Sequence, residues 1–312
     1  MIDLLSIGEI LMDMTPIKIE NEIYYKANEG GAPLNATVMA SRMGINTMFL
    51  GKVGKDVFGE RLVKLLEDEN VKYDYSIFDV NKPTSLAFVQ LDKFGERSFV
   101  FYREGAADIE FDKKDIFLNK EYNNIYFGSV ALTKNPLRET TIYYIERAKK
   151  DGKTIFFDPN YRANLWKSEK EALNYIKMGF DLSDIIKLSE EELLFITKKD
   201  NLIDAADEIK KYKNKIVFIT KGESGVDIYY KGVKKYLEAM EVKNVKDVTG
   251  AGDAFFGACI GSIIKSNDIN LEVVIKAAKI GIIASGLSVS KYGAIPSYPH
   301  LNEIEVIYEK IK

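Results

Sequence analysis

The sequence predicts an α/β fold with a central, mostly parallel sheet that helices cover on both faces. Short apolar runs rich in β-branched residues recur along the chain, and segments of helical periodicity lie between most of them. The runs are apolar at nearly every position, as in parallel strands that are buried on both faces. No linker, repeat or low-complexity segment divides the 312 residues. We therefore expect one domain over 1–312.

The predicted elements alternate in chain order. Strands are expected where the apolar runs lie, at residues 4–8, 47–54, 124–130, 154–160, 184–189 and 216–222. Helices are expected where the apolar residues recur with helical spacing, at residues 35–44, 58–70, 138–152, 204–212, 253–265 and 271–287. The first of these helices ends at Gly44, as helices often do. A last helix is expected to start at His300, on the surface.

Two regions break the alternation and predict a small second sheet. The segment "EIYYKA" (22–27) reads as a short strand that no helix follows, and "SLAFVQLDKFGERSFVFYR" (85–103) reads as a β-hairpin that turns around residues 93–95. We expect a β-sheet lid, formed by about residues 11–29 and 84–106 and inserted in the α/β core. Its aromatic, apolar face favours pairing of two subunits into a homodimer.

Composition disfavours several classes of protein. The net charge is −3, with 44 Lys and Arg against 47 Asp and Glu and no basic stripe, so a nucleic-acid partner is not expected. The most apolar stretch, "IGIIASGLSV", is too short to span a bilayer, and the N-terminus lacks the pattern of a signal peptide. The lone cysteine, Cys259, fits a cytoplasmic protein. With His300 as the only histidine and no G-x-S-x-G, hydrolase triads and histidine zinc sites are disfavoured.

The stretch "DVTGAGDAFFG" (247–257) places two glycines before an acid at the start of a predicted helix. Backbone N–H groups at a helix start have no partner within the helix, so an anion could approach Gly250, Ala251 and Gly252 closely. Asp253 beside that anion could take the proton of an attacking hydroxyl. The alternative interpretation is a tight turn with Asp253 as a helix cap. The sequence contains neither a G-x-x-x-x-G-K-[ST] loop nor a G-x-G-x-x-G after the first strand, which disfavours P-loop ATPases and nicotinamide dehydrogenases.

This stretch resembles the C-terminal signature of the ribokinase-like (PfkB) sugar kinases, and "GGAPLNATVMASRMG" (30–44) resembles their N-terminal signature. The resemblance covers nearly the whole chain, through "GKVGKDVFG", "FDPNYRANLW", "TKGESG" and "GAIPSYP". The elements "GGAP", "MDMTP" and "GERSFVFYREGAAD" look most like fructokinases, although 2-keto-3-deoxygluconate kinases share the "FYR" and "DPNYR…LW" elements. The resemblance implies a ribokinase-like fold with a small β-sheet lid.

The resemblance also implies roles for residues of the acceptor side. Asp253 would be the catalytic base, and Gly250, Ala251 and Gly252 would form the anion hole. The implied sugar-binding residues are Asp13, Gly30, Gly31 and Asn35, with Arg103 and Arg162 as clamps over sugar or phosphate. The competing interpretations are a solvated acid for Asp13, a helix cap for Asn35 and surface ion pairs for the arginines.

On the nucleotide side, the resemblance implies a loop of Thr220, Gly222 and Gly225 at the ATP phosphates. Glu192 would organise Mg²⁺ through water, with Ser189 standing where the family has Asn; otherwise the glutamates are an acidic first helical turn. The implied K⁺ site, built mostly from backbone oxygens, comprises Asp247, Thr249, Ser288, Lys291, Gly293 and Ser297.

The implied activity is ATP-dependent phosphorylation of the primary 6-hydroxyl of D-fructose, with Mg²⁺ as cofactor. One alternative is another ribokinase-like kinase, acting on ribose or on 2-keto-3-deoxygluconate, whose carboxylate would demand additional cationic contacts. A different class is a non-catalytic regulator that binds sugar or nucleotide on the same fold. Such a protein would be expected to have lost the GAGD element, which is intact here.

Overall fold

A computed structural model describes residues 1–74, 77–91, 97–116 and 121–311. The turn predicted at residues 93–95 lies outside the described residues. The strands of the described ranges are β1 Ile2–Ile7, β2 Leu11–Ile19, β3 Glu22–Gly30, β4 Thr47–Leu50, β5 Val53–Gly54, β6 Lys72–Tyr73, β7 Phe78–Asp79, β8 Leu86–Leu91, β9 Arg97–Tyr102, β10 Tyr122–Gly128, β11 Thr154–Asp158, β12 Ile185–Ser189, β13 Ile216–Thr220, β14 Val226–Tyr230 and β15 Val233–Leu237. The helices are α1 Ala32–Arg42, α2 Val57–Asp68, α3 Leu137–Lys150, α4 Glu169–Leu182, α5 Glu190–Thr197, α6 Leu202–Ile209, α7 Ala251–Ile264, α8 Leu271–Ser288 and α9 Leu301–Ile311.

The large sheet has nine strands in the order β15-β14-β13-β12-β11-β10-β1-β4-β6. Strands β13 to β6 of that order run parallel, and β14 and β15 add an antiparallel edge. Side chains of α3 to α6 pack on one face and those of α1, α7 and α8 on the other. The prediction of a mostly parallel sheet with helices on both faces is confirmed.

The small sheet has four strands in the order β3-β2-β8-β9, separate from the large one. Strands β2 and β3 form one antiparallel hairpin and β8 and β9 the other, and β2 runs parallel to β8 where they meet. Phe99 and Phe101 stack on one face, whereas Tyr25, Phe88 and Tyr102 form a chain of edge-to-face ring contacts on the other. We call this sheet the lid.

Several element predictions need correction. The strand predicted at 22–27 extends over Glu22–Gly30, and a helix does follow it, because Gly31 alone separates β3 from α1. The run at 47–54 is two strands in different sheets, with a break at Gly51 and Lys52. Helix α4 is an addition to the predicted elements, and α5 bears out the alternative of an acidic first helical turn at the glutamates; Ser168 and Ser189 each accept a hydrogen bond from a glutamate amide three residues on, the pattern of a helix start. Among the described residues, none of the helices combines the length and the apolar character needed to cross a bilayer.

Candidate active site

Helix α7 begins at the glycine-rich turn, and its geometry requires Gly250. This residue has the left-handed conformation with φ of 73°, and a Cβ there would overlap the Tyr298 hydroxyl and approach the Cβ of Ala294 to 2.6 Å. The Tyr298 hydroxyl donates to the Gly250 carbonyl at 2.9 Å. The Ala251 amide donates to the Val248 carbonyl at 3.2 Å, so the turn itself uses it. That contact leaves Gly250 and Gly252 as the better candidates for anion donors.

Asp253 lies in the first turn of α7 and contacts α1. Asn35 Nδ2 donates to Asp253 Oδ2 at 2.9 Å, and Asn35 Oδ1 is buried without a partner among the described residues. Burial raises the pKa of Asp253, while the Asn35 hydrogen bond and the charges of Lys187 and Arg162 oppose that rise. Asn35 is not the N-cap of α1, which is Gly31, so the helix-cap interpretation of Asn35 is excluded. A half-buried carboxylate thus lies beside a buried amide oxygen that has no partner among the described residues.

Asp13 reaches this location from the lid. It lies on β2, and a Cβ on Gly30 of the neighbouring strand would overlap its carboxylate. Burial and the charge of Asp253 together raise the pKa of Asp13 to about 7, against the opposing charge of Arg162. Gly31, with φ of 111°, presses against the Glu9 carbonyl, to which a Cβ would approach within 2.6 Å. Asp13 is therefore not a solvated loop acid.

The two predicted arginine clamps differ in placement. Arg162 follows β11 and lies near both Asp13 and Asp253, since its charge lowers the pKa of each. Its guanidinium carbon is 5.7 Å from the ring centroid of Phe99 on the lid. Arg103 instead forms a buried ion pair with Asp108 at 2.6 Å. The structure does not place Arg103 as a free clamp, and the physical reason is that Asp108 binds its guanidinium.

Lys187 is a site residue that the sequence reasoning missed. Its Nζ, on a side chain from the middle of β12, lies 3.2 and 3.0 Å from the two carboxylate oxygens of Asp158, the last residue of β11. It also lies 3.2 Å from the point where a Cβ on Gly252 would be, beside the start of α7. Burial lowers the pKa of Lys187, but the carboxylates of Asp158, Glu192 and Asp253 raise it more, so the ammonium keeps its charge. A lone lysine within the apolar run "DIIKLS" was the available signal.

Glu192 and Ser189 form a capping box at the start of α5. Ser189 Oγ accepts from the Glu192 amide at 3.1 Å, and Glu192 Oε2 accepts from the Ser189 amide at 2.8 Å. Glu192 Oε1 accepts from the Tyr161 amide at 2.8 Å, which ties α5 to the loop after β11. Within the described ranges no three metal-binding side chains converge closely enough to hold an ion directly. Charges on Asp158, Glu192 and Asp253 nevertheless act on one another, so these carboxylates fit a hydrated divalent cation.

A cavity of about 820 Å³ adjoins the start of α7. Thr220, Gly222 and Gly225 line it together with Gly252, as predicted for the nucleotide side. Helix α8 contributes Ile282, Ser285 and Gly286 to its wall, and the segment 238–242 after β15 contributes another wall that the sequence did not indicate. The volume of the cavity is in the range of small-molecule and cofactor sites, and Gly252 at the start of α7 lies on its wall.

The K⁺ site, predicted mostly from backbone oxygens, stays a prediction; hydrogen bonds of the Asp247 carboxylate join three of its six residues, Asp247, Thr249 and Gly293. Asp247 Oδ1 accepts from the Thr249 amide and Oδ2 accepts from the Gly293 amide at 2.9 and 3.0 Å. The hydroxyls of Ser288 and Ser297 donate to nearby carbonyls, at Ser285 and Ala294. Lys291 Nζ lies 3.8 Å from Glu303 on the surface.

This chain is similar over nearly its whole length to known sugar kinases. Residues 1–301 match the sequence pattern of the pfkB family of carbohydrate kinases. Fructokinase-1 of Zea mays is 34% identical over 314 residues, covering 98% of this chain and 97% of the relative. A double mutant of the fructokinase from Vibrio cholerae O395, solved with fructose, ADP and a potassium ion, superposes with a TM-score of 0.89 at 28% identity, over 98% of both chains. The fructokinase from Xylella fastidiosa with bound ATP gives a TM-score of 0.88 at 27% identity, over 99% of both chains.

Proposed function

From the premise that this chain belongs to the pfkB family of carbohydrate kinases and is a sugar kinase, we propose that it transfers the γ-phosphoryl of ATP to the 6-hydroxyl of D-fructose. One observation carries the proposal for the site. Asp253 stands in the first turn of α7, hydrogen-bonded to Asn35, and Lys187 lies beside the same turn. The helix start thus joins a proton acceptor to a group of donors for the phosphoryl oxygens.

In the proposed reaction, Asp253 Oδ1 accepts the proton of the 6-hydroxyl while its Oδ2 stays oriented by Asn35. The alkoxide oxygen forms the new bond to γ-phosphorus, and the bond from γ-phosphorus to the β,γ-bridging oxygen of ATP breaks, which leaves ADP. The amides of Gly250 and Gly252, the positive end of the α7 dipole and the Lys187 ammonium would stabilise the charge on the migrating group. Asp13 and the Asn35 carbonyl oxygen would hold the other sugar hydroxyls.

Mg²⁺ would be held by ATP phosphates and, through water, by Asp158 and Glu192. When bound it neutralises charge on the β- and γ-phosphates. This chain contributes the orientation of those carboxylates, since Lys187 fixes Asp158 and two backbone amides fix Glu192. K⁺ activation through the segment of Asp247, Thr249 and Gly293 stays a further expectation.

We propose fructose rather than 2-keto-3-deoxygluconate as the substrate because of where the arginines lie. An acidic sugar needs arginines that converge on its carboxylate. Arg162 is near Asp13 and Asp253, but Arg103 is already paired with Asp108. The names of the curated relatives, fructokinases at 32 to 35% identity, support the same choice.

The test is a coupled assay of ADP release over a panel of sugars, with and without Mg²⁺ and K⁺. The panel contains fructose, glucose, ribose and 2-keto-3-deoxygluconate, and a sugar-free reaction controls for ATP hydrolysis. We expect the highest kcat/KM with fructose. A higher kcat/KM with the acidic sugar would refute the fructose proposal but not the kinase activity.

We also propose that the lid pairs two subunits. Ile23, Tyr25, Val100 and Tyr102 leave between 36 and 66% of their surface exposed on it. Replacing Tyr102 with Asp should convert a dimer into monomers in sedimentation experiments. A monomeric wild-type chain at micromolar concentration would refute this proposal.

A further inference from the structure

Four buried polar residues lie where the chain crosses between the two sheets, and we call them the lid-root cluster. Glu9 stands between β1 and β2, Ser85 precedes β8, and Arg103 and Asp108 follow β9. Glu9 is 3% exposed, Arg103 4% and Asp108 0%. Charged side chains are rarely buried this deeply unless they are paired, so each charged member of the cluster is expected to have a hydrogen-bond or ion-pair partner.

Asp108 is fully engaged within this cluster. Arg103 Nε and Nη2 donate to Asp108 Oδ2 at 2.9 and 2.6 Å, and Ser85 Oγ donates to Asp108 Oδ1 at 2.5 Å. The Ala107 amide also donates to the Pro83 carbonyl at 2.9 Å. These bonds join the segments on either side of the β8–β9 hairpin to each other.

Glu9 is the unsatisfied member. Its Oε2 is buried and has no hydrogen-bond partner among the described residues. In those residues Arg103 forms its ion pair with Asp108 and not with Glu9. The charged groups acting on Glu9 are Arg103, Asp108 and Asp253. Burial, together with the charges of Asp108 and Asp253, raises the pKa of Glu9 to about 7, while the charge of Arg103 and a hydrogen bond to the backbone of Glu9 itself oppose the rise. A carboxyl thus lies near a guanidinium to which it is not bonded.

We propose, on the basis of the function proposed above, that Glu9 pairs with Arg103 when the lid closes over the sugar, which makes Glu9 a positioning residue for phosphoryl transfer. A guanidinium carries five N–H donors in a planar fork, so Arg103 can serve Glu9 and Asp108 together. Arg103 directly follows lid strand β9, whereas Glu9 follows core strand β1 and its carbonyl packs on Gly31. A shift of the lid root against β1 therefore changes the distance between these two groups.

The pair adds its interaction energy to the closed state alone. It draws the lid, with Asp13 on β2, towards Asp253 on α7. Glu9 contributes to catalysis without contacting the sugar, since a closed lid excludes water and fixes the acceptor. Sugar that binds to the open protein must close the lid, so the pair tightens sugar binding.

The first experiment compares Glu9→Gln with Glu171→Gln. Glu171 accepts from Arg138 at 2.8 Å in a largely buried pair between α3 and α4, so its variant reports the structural cost of losing such a carboxylate. We expect Glu9→Gln to raise the KM for fructose at least about tenfold, as for a hydrogen bond to a charged group, and Glu171→Gln to leave it unchanged. Circular dichroism and thermal melts establish that both variants fold.

The second experiment measures protons released on sugar binding, by calorimetry in buffers of different ionisation enthalpy near pH 7. Pairing lowers the pKa of Glu9, so wild-type protein should release roughly half a proton from Glu9 at that pH, and Glu9→Gln should release correspondingly less. Arg103→Lys, which retains the charge but not the fork, should also reduce the release.

An active wild-type protein whose KM for fructose and proton release do not change in Glu9→Gln would overturn the pairing and leave the kinase function intact. Equal effects of Glu9→Gln and Glu171→Gln on KM would also overturn it. A wild-type chain that neither binds nor phosphorylates any sugar of the panel would remove the proposed function and, with it, the pairing.

Discussion

At the scale of single residues, the candidate site contains a buried ion pair between Lys187 and Asp158. Lys187 is 7% exposed and Asp158 0%, and each is held by the other. Asp253 has a different support, because its partner Asn35 is neutral and donates only one hydrogen bond. Burial raises the pKa of Asp253, and a carboxylate with a raised pKa, once ionised, is a better proton acceptor than an ordinary one.

Replacing Asp253 with Asn tests the proton acceptor. Asn retains the shape and can still accept the hydrogen bond from Asn35, so the variant should fold and bind fructose. We expect kcat to fall by about 10²–10⁴-fold, the usual contribution of a general base. Steady-state kinetics measure the loss, and calorimetric titration with fructose provides the control. Undiminished turnover would exclude Asp253 as the base.

Replacing Lys187 with Met tests the buried ammonium. The change removes one donor for the phosphoryl oxygens and leaves Asp158 unpaired beside Glu192, so we expect kcat to fall about 10²-fold. Lys215→Met is the matched control, because Lys215 is also buried and, in the part of the chain that the structure describes, its hydrogen bonds go to the carbonyls of Asp181 and Ser183. That variant should lose stability but retain kcat. Similar losses of kcat in both variants would mean that Lys187 has only a structural role.

At the scale of elements, the site depends on how α7 begins. The left-handed residue at its N-cap turns the chain so that the next amides point past the helix end. Tyr298, just before α9, hydrogen-bonds to the Gly250 carbonyl and closes off the space beside it. The loop before α9 therefore determines which residue can stand at the start of α7.

Replacing Gly250 with Ala should abolish activity through this packing. The new Cβ would overlap the Tyr298 hydroxyl and would strain a positive φ, so the turn must move and the amides with it. Gly105→Ala is the control for strain alone, because Gly105 has φ of 69° and open space around its Cβ position. We expect both variants to lose roughly 1 kcal/mol of stability from strain, but only Gly250→Ala to lose turnover. Full activity of Gly250→Ala would contradict the anion-hole assignment.

The elements also indicate which features sequence patterns can predict. Apolar runs predicted most strands of the large sheet, because burial on both faces leaves a local signature. Arg103 was misplaced because its partner Asp108 is five residues away, and nothing in the spacing shows whether an arginine turns towards a neighbour or a ligand. Lys187 was missed because its meaning depends on Asp158 and Gly252, which are distant in sequence and adjacent only across strands.

At the scale of the whole molecule, the site lies where the lid meets the carboxyl ends of the large sheet. Asp13 comes from the lid, Asp158 from β11 and Asp253 from α7, so folding concentrates negative charge in one buried region. Lys187 and Arg162 offset part of that charge. Stability and function place opposite demands on these carboxylates. Burying them destabilises the fold least when they are protonated, but they act in catalysis and binding when they are ionised.

Stability and activity should therefore respond to pH in opposite directions. Burial raises the pKa of Glu9 and Asp13 to about 7, from ordinary values of 4.5 and 3.8. A raised carboxyl pKa stabilises the folded state fully below the unfolded pKa, and this contribution is lost as pH rises through about 7. Between pH 6 and pH 8 each group should lower the free energy of unfolding by at most about 1.4 kcal/mol. Over the same interval kcat/KM should rise, because Asp13 becomes ionised. Asp13→Asn removes one of these contributions, so denaturant titrations should show it stabilised relative to wild type at pH 8 and less so at pH 6, while its kcat/KM for fructose falls. A difference in stability that stays constant between the two pH values would show that Asp13 does not titrate in this range.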